Sequence, residues 1–150
     1  MNKIVITGGA GFIGSHIVDF FVNHYPHSKV FVLDKMTYAA DYRFLMQHSE
    51  NANFRLIVGD ITDYDVCKKM LEDTDLLVHA AAESHVGNSF SNSIEFTKTN
   101  TIGTHCLMEA ARVLDVNKII HISTDEVYGE VLAGSVDENG AFAPTNPYSA

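Results

Sequence analysis

A short apolar run, Lys3-Ile4-Val5-Ile6-Thr7, passes directly into Gly8-Gly9-Ala10-Gly11-Phe12-Ile13-Gly14. The join predicts a strand, a glycine turn and the first turn of a helix, with Gly8, Gly11 and Gly14 spaced three apart. A glycine at the first position permits a backbone turn that a Cβ obstructs. At the second it lets the main chain approach a ligand closely, and at the third it lets the helix pack tightly on the strand. The N–H groups and dipole at the helix start favour an anion such as a pyrophosphate. Ile13, Ile17, Val18 and Phe21 then fall on one helical face. This is the strand–turn–helix setting of a dinucleotide site.

A second apolar run, Val30-Phe31-Val32-Leu33, ends in Asp34, twenty residues after Gly14. A carboxylate there accepts hydrogen bonds from both adenosine ribose hydroxyls and repels a 2′-phosphate, which points to NAD rather than NADP. Lys35 beside it softens that preference. A polar-aromatic loop after Asp34 leads to a short helix over residues 42–47. Further strands are expected over 53–58, 76–79 and 117–122. The helix expected over 62–71 turns Val66, Met70 and Leu71 inward, and a long helix is expected over 94–114. The long helix counts Ile102, Cys106, Met108, Ala110 and Val113 among its apolar positions, with Asn100 in its middle. Alternating strands and helices imply right-handed βαβ crossovers: an α/β fold with a doubly wound parallel sheet and helices on both faces. Ligands in such sheets bind beyond the carboxyl ends of the strands. Thr7, Asp34, Asp60, Ser84 and the segment after Ile122 all fall there.

Composition narrows the partners. A chain of 150 residues reads as one domain, and a net charge of −9 without a basic run argues against nucleic acid. No apolar run approaches the roughly 18 residues that span a bilayer, and the first strand begins too early to leave room for a leader peptide. Cys67 and Cys106 lack metal-ligand spacing and read as reduced thiols of a cytoplasmic protein. The eight histidines contain no H-x-x-x-H pair, so no metal site is expected.

Several residues carry two readings each. Asp60 either accepts from an adenine amino group or caps the next helix, a task open equally to Thr62 or Asp63. Ala80-Ala81-Ala82 either lets a ligand lie against the backbone or forms a packing seam. Ser123-Thr124-Asp125-Glu126-Val127-Tyr128-Gly129 places two adjacent carboxylates past the fifth strand. Their mutual repulsion lets them divide into acid and base, while Ser, Thr and Asp are also good helix caps. Tyr148 is a general base beside a cation, or a packed aromatic.

The glycine turn resembles that of extended short-chain dehydrogenases/reductases, Rossmann-type enzymes. Leu33-Asp34-Lys35-Met36-Thr37-Tyr38-Ala39, Ala81-Ala82-Glu83-Ser84-His85-Val86 and Ile122-Ser123-Thr124-Asp125-Glu126-Val127-Tyr128-Gly129 narrow the resemblance to the dTDP-glucose 4,6-dehydratases. The Thr-Asp-Glu triplet is the discriminating piece, since related epimerases and decarboxylases lack it. The resemblance implies that NAD is lined by Gly8, Gly11, Phe12, Ile13, Gly14, Asp34, Lys35, Met36, Thr37, Asp60, Ile61, Ala80, Ala81, Ala82, Glu83, Ser84 and Thr99. Thr124 is expected to bind the glucosyl 4-hydroxyl, with Ser84 also near the sugar. Tyr148 is expected to remove the 4-hydroxyl proton as C4 is oxidised. Glu126 then takes the C5 proton while Asp125 protonates the departing 6-hydroxyl, and reduction at C6 gives a 4-keto-6-deoxy sugar.

Two departures stand out. Gly87-Asn88 follow His85-Val86 where the resemblance calls for Asp-Arg. The family tyrosine is also followed four positions later by a lysine, a position beyond Ala150. The chain is therefore expected to be the N-terminal, cofactor-binding portion of an enzyme that is a homodimer when complete. It is expected to be inactive alone, its nucleotide-gripping portion lying elsewhere. The alternatives are an epimerase or decarboxylase of the same family, and a noncatalytic NAD-binding module.

Overall fold

The computed structural model describes residues 1–150. Strands β1 (Lys3–Thr7), β2 (Lys29–Asp34), β3 (Phe54–Val58), β4 (Leu76–His79) and β5 (Ile119–His121) form one parallel sheet in the order β3-β2-β1-β4-β5. Val5 of β1 sits opposite Phe31 of β2 and Leu77 of β4, so β1 is the central strand. The crossovers run outward from β1 to β3 and then reverse through β4 to β5. That reversal opens a crevice at the carboxyl ends of β1 and β4. The expected Rossmann-type fold is present.

The two-residue period of a strand sorts the core into two layers. Ile4, Ile6, Val30, Val32 and Val78 pack with Val18, Phe21 and Val22 of α1 (Phe12–His24) and with Leu45 of a 3₁₀ segment, Tyr42–His48. Val5, Leu33 and Leu77 face the other way. They meet Cys67, Met70 and Leu71 of α2 (Tyr64–Leu71) and Leu107, Ala110 and Ala111 of α5 (Thr104–Val113).

Four local readings need correction. Ile13 does not share the inward face of α1: it is 61% exposed, and the buried positions are Gly14, Ser15, Val18, Phe21 and Val22. Its place in the first turn sets it on the crevice wall rather than over the sheet. The long helix is interrupted. α3 (Val86–Ser91), which the sequence did not suggest, and α4 (Ser93–Phe96) precede a π-helical stretch, Thr97–Gly103, that leads into α5. A π turn carries an extra residue, so a periodicity extended through it loses phase. Ile102 and Val113 are exposed accordingly, whereas Phe96, Gly103 and Leu107 are buried. α2 begins at Tyr64 rather than residue 62, because Asp63 caps it by accepting from the N–H groups of Asp65 and Val66. Finally, β5 is short and pairs only with β4, leaving Ile119, Ile120 and Ile122 exposed.

Candidate active site

The glycine turn shapes one end of the crevice. Gly8 has φ +71°, and a Cβ there would lie 2.6 Å from Ala81 Cα in the loop after β4. A Cβ on Gly14 would lie 2.0 Å from the Gly8 carbonyl oxygen, so only glycine lets α1 seat against the turn. Gly11 is different: its φ is −80° and an added Cβ would meet only Gly8 O, at 3.4 Å. The fold makes little demand for glycine there, which leaves room for a ligand as the reason. No side chain caps the start of α1 and its first turn holds no acid, so the positive end of its dipole stands uncompensated beside the crevice.

Around this turn lies a cavity of about 410 Å³. Its wall includes Gly8, Gly11, Phe12, Ile13, Gly14, Asp34, Lys35, Thr37, Asp60, Ile61, Ala80, Ala81, Ala82, Glu83, Ser84, Thr99 and Tyr148. Every expected cofactor residue except Met36 is thus gathered from five separate segments. Met36 instead packs its side chain against the first core layer, with its backbone at φ 57°. Ser123 joins the wall as expected of the segment after Ile122, whereas Leu33, Ala39, Ala40, Gly59 and Ile122 line it without having been singled out in the sequence. Gly59 followed directly on a strand, a signal that was present but unused. A hollow of about 820 Å³ at the opposite ends of the strands is lined by acidic and amide side chains and meets no glycine turn.

Asp34 is 8% exposed and is held from two sides. Its Oδ2 accepts from Ala10 N–H at 2.9 Å and its Oδ1 from Met36 N–H at 2.8 Å. The left-handed backbone at Met36 brings that second donor round. Asp60 is not the helix cap. It accepts from Thr62 N–H at 2.9 Å and pairs with Lys35 Nζ at 2.7 Å. Burial pushes the Asp60 carboxyl upward, but hydrogen bonds from Lys35 and Thr62 outweigh it and hold the group below the usual carboxylate range. The same bond from Asp60 raises the Lys35 ammonium.

Beneath the alanine loop runs a buried polar chain. Ala81 N–H donates to Thr7 Oγ1 at 3.3 Å, the Thr7 hydroxyl meets His79 Nδ1 at 2.7 Å, and His79 Nε2 meets Thr104 Oγ1 at 2.9 Å. Both ring nitrogens of neutral His79 are thus engaged, one as donor and one as acceptor. Burial, with a smaller contribution from His121, depresses the His79 pKa to about 4. A depressed histidine stabilises the fold fully above its unfolded value near 6.5, and this stabilisation fades as pH falls toward 4. The shift corresponds to about 3 kcal/mol. In an NMR titration the His79 imidazole is expected to stay neutral at pH 5. Urea unfolding is expected to show stability declining from pH 6.5 to 4. Protonation near 6.5 in the folded protein would contradict the assigned network.

Asn100 lies within the π-helical stretch and bonds the Glu83 backbone in both directions, each at 2.8 Å, which fixes the loop carrying Ser84. Past β5, Thr124 caps the 3₁₀ turn Asp125–Tyr128, its Oγ1 accepting from Glu126 N–H at 3.2 Å. Thr124 and Asp125 line a second cavity of about 700 Å³ together with Tyr128, Glu138 and Ser149. Glu126 lines neither cavity; its Oε2 accepts from Asn146 Nδ2 at 3.0 Å. Tyr148 stands on the first cavity's wall, edge-on to Phe96 with ring centroids 6.3 Å apart. Tyr148 is thus both a packed aromatic and a cavity residue, and of the acid pair only Asp125 lines a cavity, the second one.

Fold and site together define a Rossmann-type α/β protein with a switch-point crevice and an adjoining Thr-Asp-Glu turn. The chain belongs to the GDP-mannose 4,6 dehydratase family, whose model matches residues 5–150. It is 46% identical over 155 residues to the trifunctional UDP-glucose 4,6-dehydratase/UDP-4-keto-6-deoxy-D-glucose 3,5-epimerase/UDP-4-keto-L-rhamnose-reductase RHM2 of Arabidopsis thaliana, a match covering 99% of this chain and 23% of that protein. It is 42% identical to the human dTDP-D-glucose 4,6-dehydratase, over 99% of this chain and 43% of that one. The crystal structure of DesIV, a dTDP-glucose 4,6-dehydratase from Streptomyces venezuelae solved with NAD bound, superposes with a TM-score of 0.94. That match is 40% identical and covers 98% of this chain and 47% of DesIV. The chain spans less than half the length of each of these relatives.

Proposed function

We propose that the chain is the cofactor-binding part of an NAD-dependent nucleotide-sugar 4,6-dehydratase, acting on dTDP-glucose. One observation carries the reading: a cradle for a dinucleotide at the switch point carries Tyr148 on its wall and meets, at Ser123, a second cavity lined by Thr124 and Asp125. The glycine turn fits NAD. Its uncapped helix start suits a pyrophosphate, Gly11 leaves open space where a Cβ would stand, and buried Asp34 suits a ribose diol. NAD, when bound, supplies reversible oxidation at C4 and reduction at C6, and so is not consumed.

The chain's own residues do the rest. Lys35 and Asp60 form a polar pair on the cavity wall, and Ala80 to Ala82 let the cofactor lie flat against the backbone. Tyr148 accepts the proton of the sugar 4-hydroxyl, and Thr124 holds that hydroxyl with Ser84 nearby. A ketone at C4 acidifies C5–H, Glu126 removes that proton, and Asp125 gives one to the 6-hydroxyl as water leaves. A reducing cytoplasm suits the two free thiols, and exposed Ile94 and Ile102 on the α4–α5 run suit a homodimer face.

Mass spectrometry of the product from the complete natural polypeptide tests the reading. With dTDP-glucose the expected product is lighter by one water, with NAD returned unchanged. An isomer of unchanged mass would indicate an epimerase, and loss of carbon dioxide from a uronic acid substrate a decarboxylase. NAD binding without turnover of either dTDP-glucose or UDP-glucose would leave a binding module. Preference for UDP-glucose would redirect the substrate, in line with the similarity to RHM2.

A further inference from the structure

We propose that Asn146 is a positioning residue for Glu126: its amide ties the carboxylate of the acid–base pair to the turn that carries Tyr148. The inference rests on the dehydratase reading above. Twenty residues separate the two in the chain, and Asn146 Nδ2 donates to Glu126 Oε2 at 3.0 Å. The other end of the same amide is engaged as well, Oδ1 accepting from Ser149 N–H at 2.9 Å. These partners fix the amide's orientation. Flipped, it would set an NH₂ against the Ser149 donor and an oxygen against a carboxylate, two repulsive contacts in place of two bonds.

The turn beneath is closed by further hydrogen bonds. Buried Ser149 Oγ accepts from the N–H groups of Thr145 and Asn146 at 3.2 Å each and lies 3.1 Å from Asn146 O, which also accepts from Ala150 N–H at 3.1 Å. Glu126 is pinned from its own side by the Thr124 cap on its N–H. The backbone of Glu126 is thus held by the Thr124 cap and its carboxylate by the one bond from the Tyr148 turn, through Oε2, leaving Oε1 to receive a proton. A neutral amide suits this task. It orients the carboxylate through a charge-assisted hydrogen bond without bringing an acid or a counter-ion that competes for the proton.

Asn146→Ser keeps an acceptor for Ser149 N–H but loses the donor to Glu126. Asn146→Asp keeps the acceptor and sets a like charge against the carboxylate. In the complete protein, the rate of deuterium uptake at C5 of the 4-keto-6-deoxy product, which needs only the base, is expected to fall about tenfold to a hundredfold in the serine variant. It is expected to fall further in the aspartate variant, while KM for the sugar nucleotide and the melting temperature hold. The Asn146 side-chain amide NMR signals are also expected to move on Glu126→Gln. Exchange at the parental rate in both variants, or an unmoved amide signal, overturns the role of Asn146 alone. Losses that appear only as raised KM or lowered melting temperature overturn it too, by making Asn146 a structural cap. A parental protein that neither dehydrates nor exchanges overturns the dehydratase reading, and this inference with it.

Discussion

Gly14→Ala is expected to destabilise the protein by about 3 kcal/mol or more, even though alanine is the better helix former. Two effects oppose one another. Propensity favours alanine over glycine in a helix interior by about 1 kcal/mol. Against it, the new Cβ would sit 2.0 Å from Gly8 O, 2.8 Å from Gly8 C and 2.9 Å from Gly9 Cα. All three are backbone atoms of the turn, so no rotamer change relieves the overlap. α1 must lift, and its lifting uncovers the core layer that Val18, Phe21 and Val22 build with Ile4, Ile6 and Val32. With total stabilities of roughly 5–15 kcal/mol, such a loss is a large fraction of the whole. A drop in the urea midpoint at unchanged slope is the expected result. A gain of about 1 kcal/mol, as propensity alone predicts, would show that the turn yields. Gly11→Ala is the companion measurement. Its Cβ meets only one atom, at 3.4 Å, so stability is expected to stay within about 0.5 kcal/mol. NAD affinity is expected to fall about tenfold or more, equivalent to about 1.4 kcal/mol, as the methyl occupies pyrophosphate space. The two glycines thereby separate what the fold requires from what the ligand requires.

The same division explains how much of the molecule was legible in the sequence. Continuous apolar runs announce strands covered on both faces, and the helical segments between them are the long crossovers that a parallel sheet requires. The cavity is legible for a related reason: in such a sheet, residues at strand ends converge, so Asp34, Asp60, Ser84 and Ser123 fall together on its wall, while Thr7 lies beneath it under the alanine loop. What failed depended on contacts distant in the chain. Nothing near residue 97 signals a π turn; it is matched by Gly103 lying against Ile61 and by Asn100 reaching Glu83. Asn100 stands mid-helix in the sequence, and its partner lies seventeen positions away. Met36 is placed in the cavity only by the family resemblance, yet its backbone has a positive φ, its side chain packs on the core, and its N–H serves Asp34. Asp60 and Asp63 were indistinguishable as caps until Lys35 was seen to claim the first and two backbone donors the second.

Glu126→Gln is expected to slow C5 deuterium uptake and overall loss of water by about 10²- to 10⁴-fold in the complete protein, the usual contribution of a positioned general base. The structure says why this change is cleaner than most. Glutamine keeps the shape of the side chain and, with its oxygen turned to Asn146, preserves the bond that now spans 3.0 Å. The backbone N–H of residue 126 remains capped by Thr124. Glu126 lies off the wall of the cavity that suits the dinucleotide, so NAD affinity is expected to change less than twofold. Only proton acceptance is removed. Asp125 provides the contrast, because its side chain is exposed on the wall of the second cavity. Asp125→Asn is expected to suppress loss of water while sparing C5 exchange, since its proton is needed only when the 6-hydroxyl departs. Asp125 lines the second cavity whereas Glu126 is tied to Asn146, and the proposed mechanism uses that difference by assigning proton removal at C5 to Glu126 and proton supply at C6 to Asp125. Equal effects of the two substitutions on exchange would mean that the pair shares the base role rather than dividing it. Unchanged exchange in Glu126→Gln would remove Glu126 from the chemistry and leave its bond to Asn146 as a fastening of the Tyr148 turn.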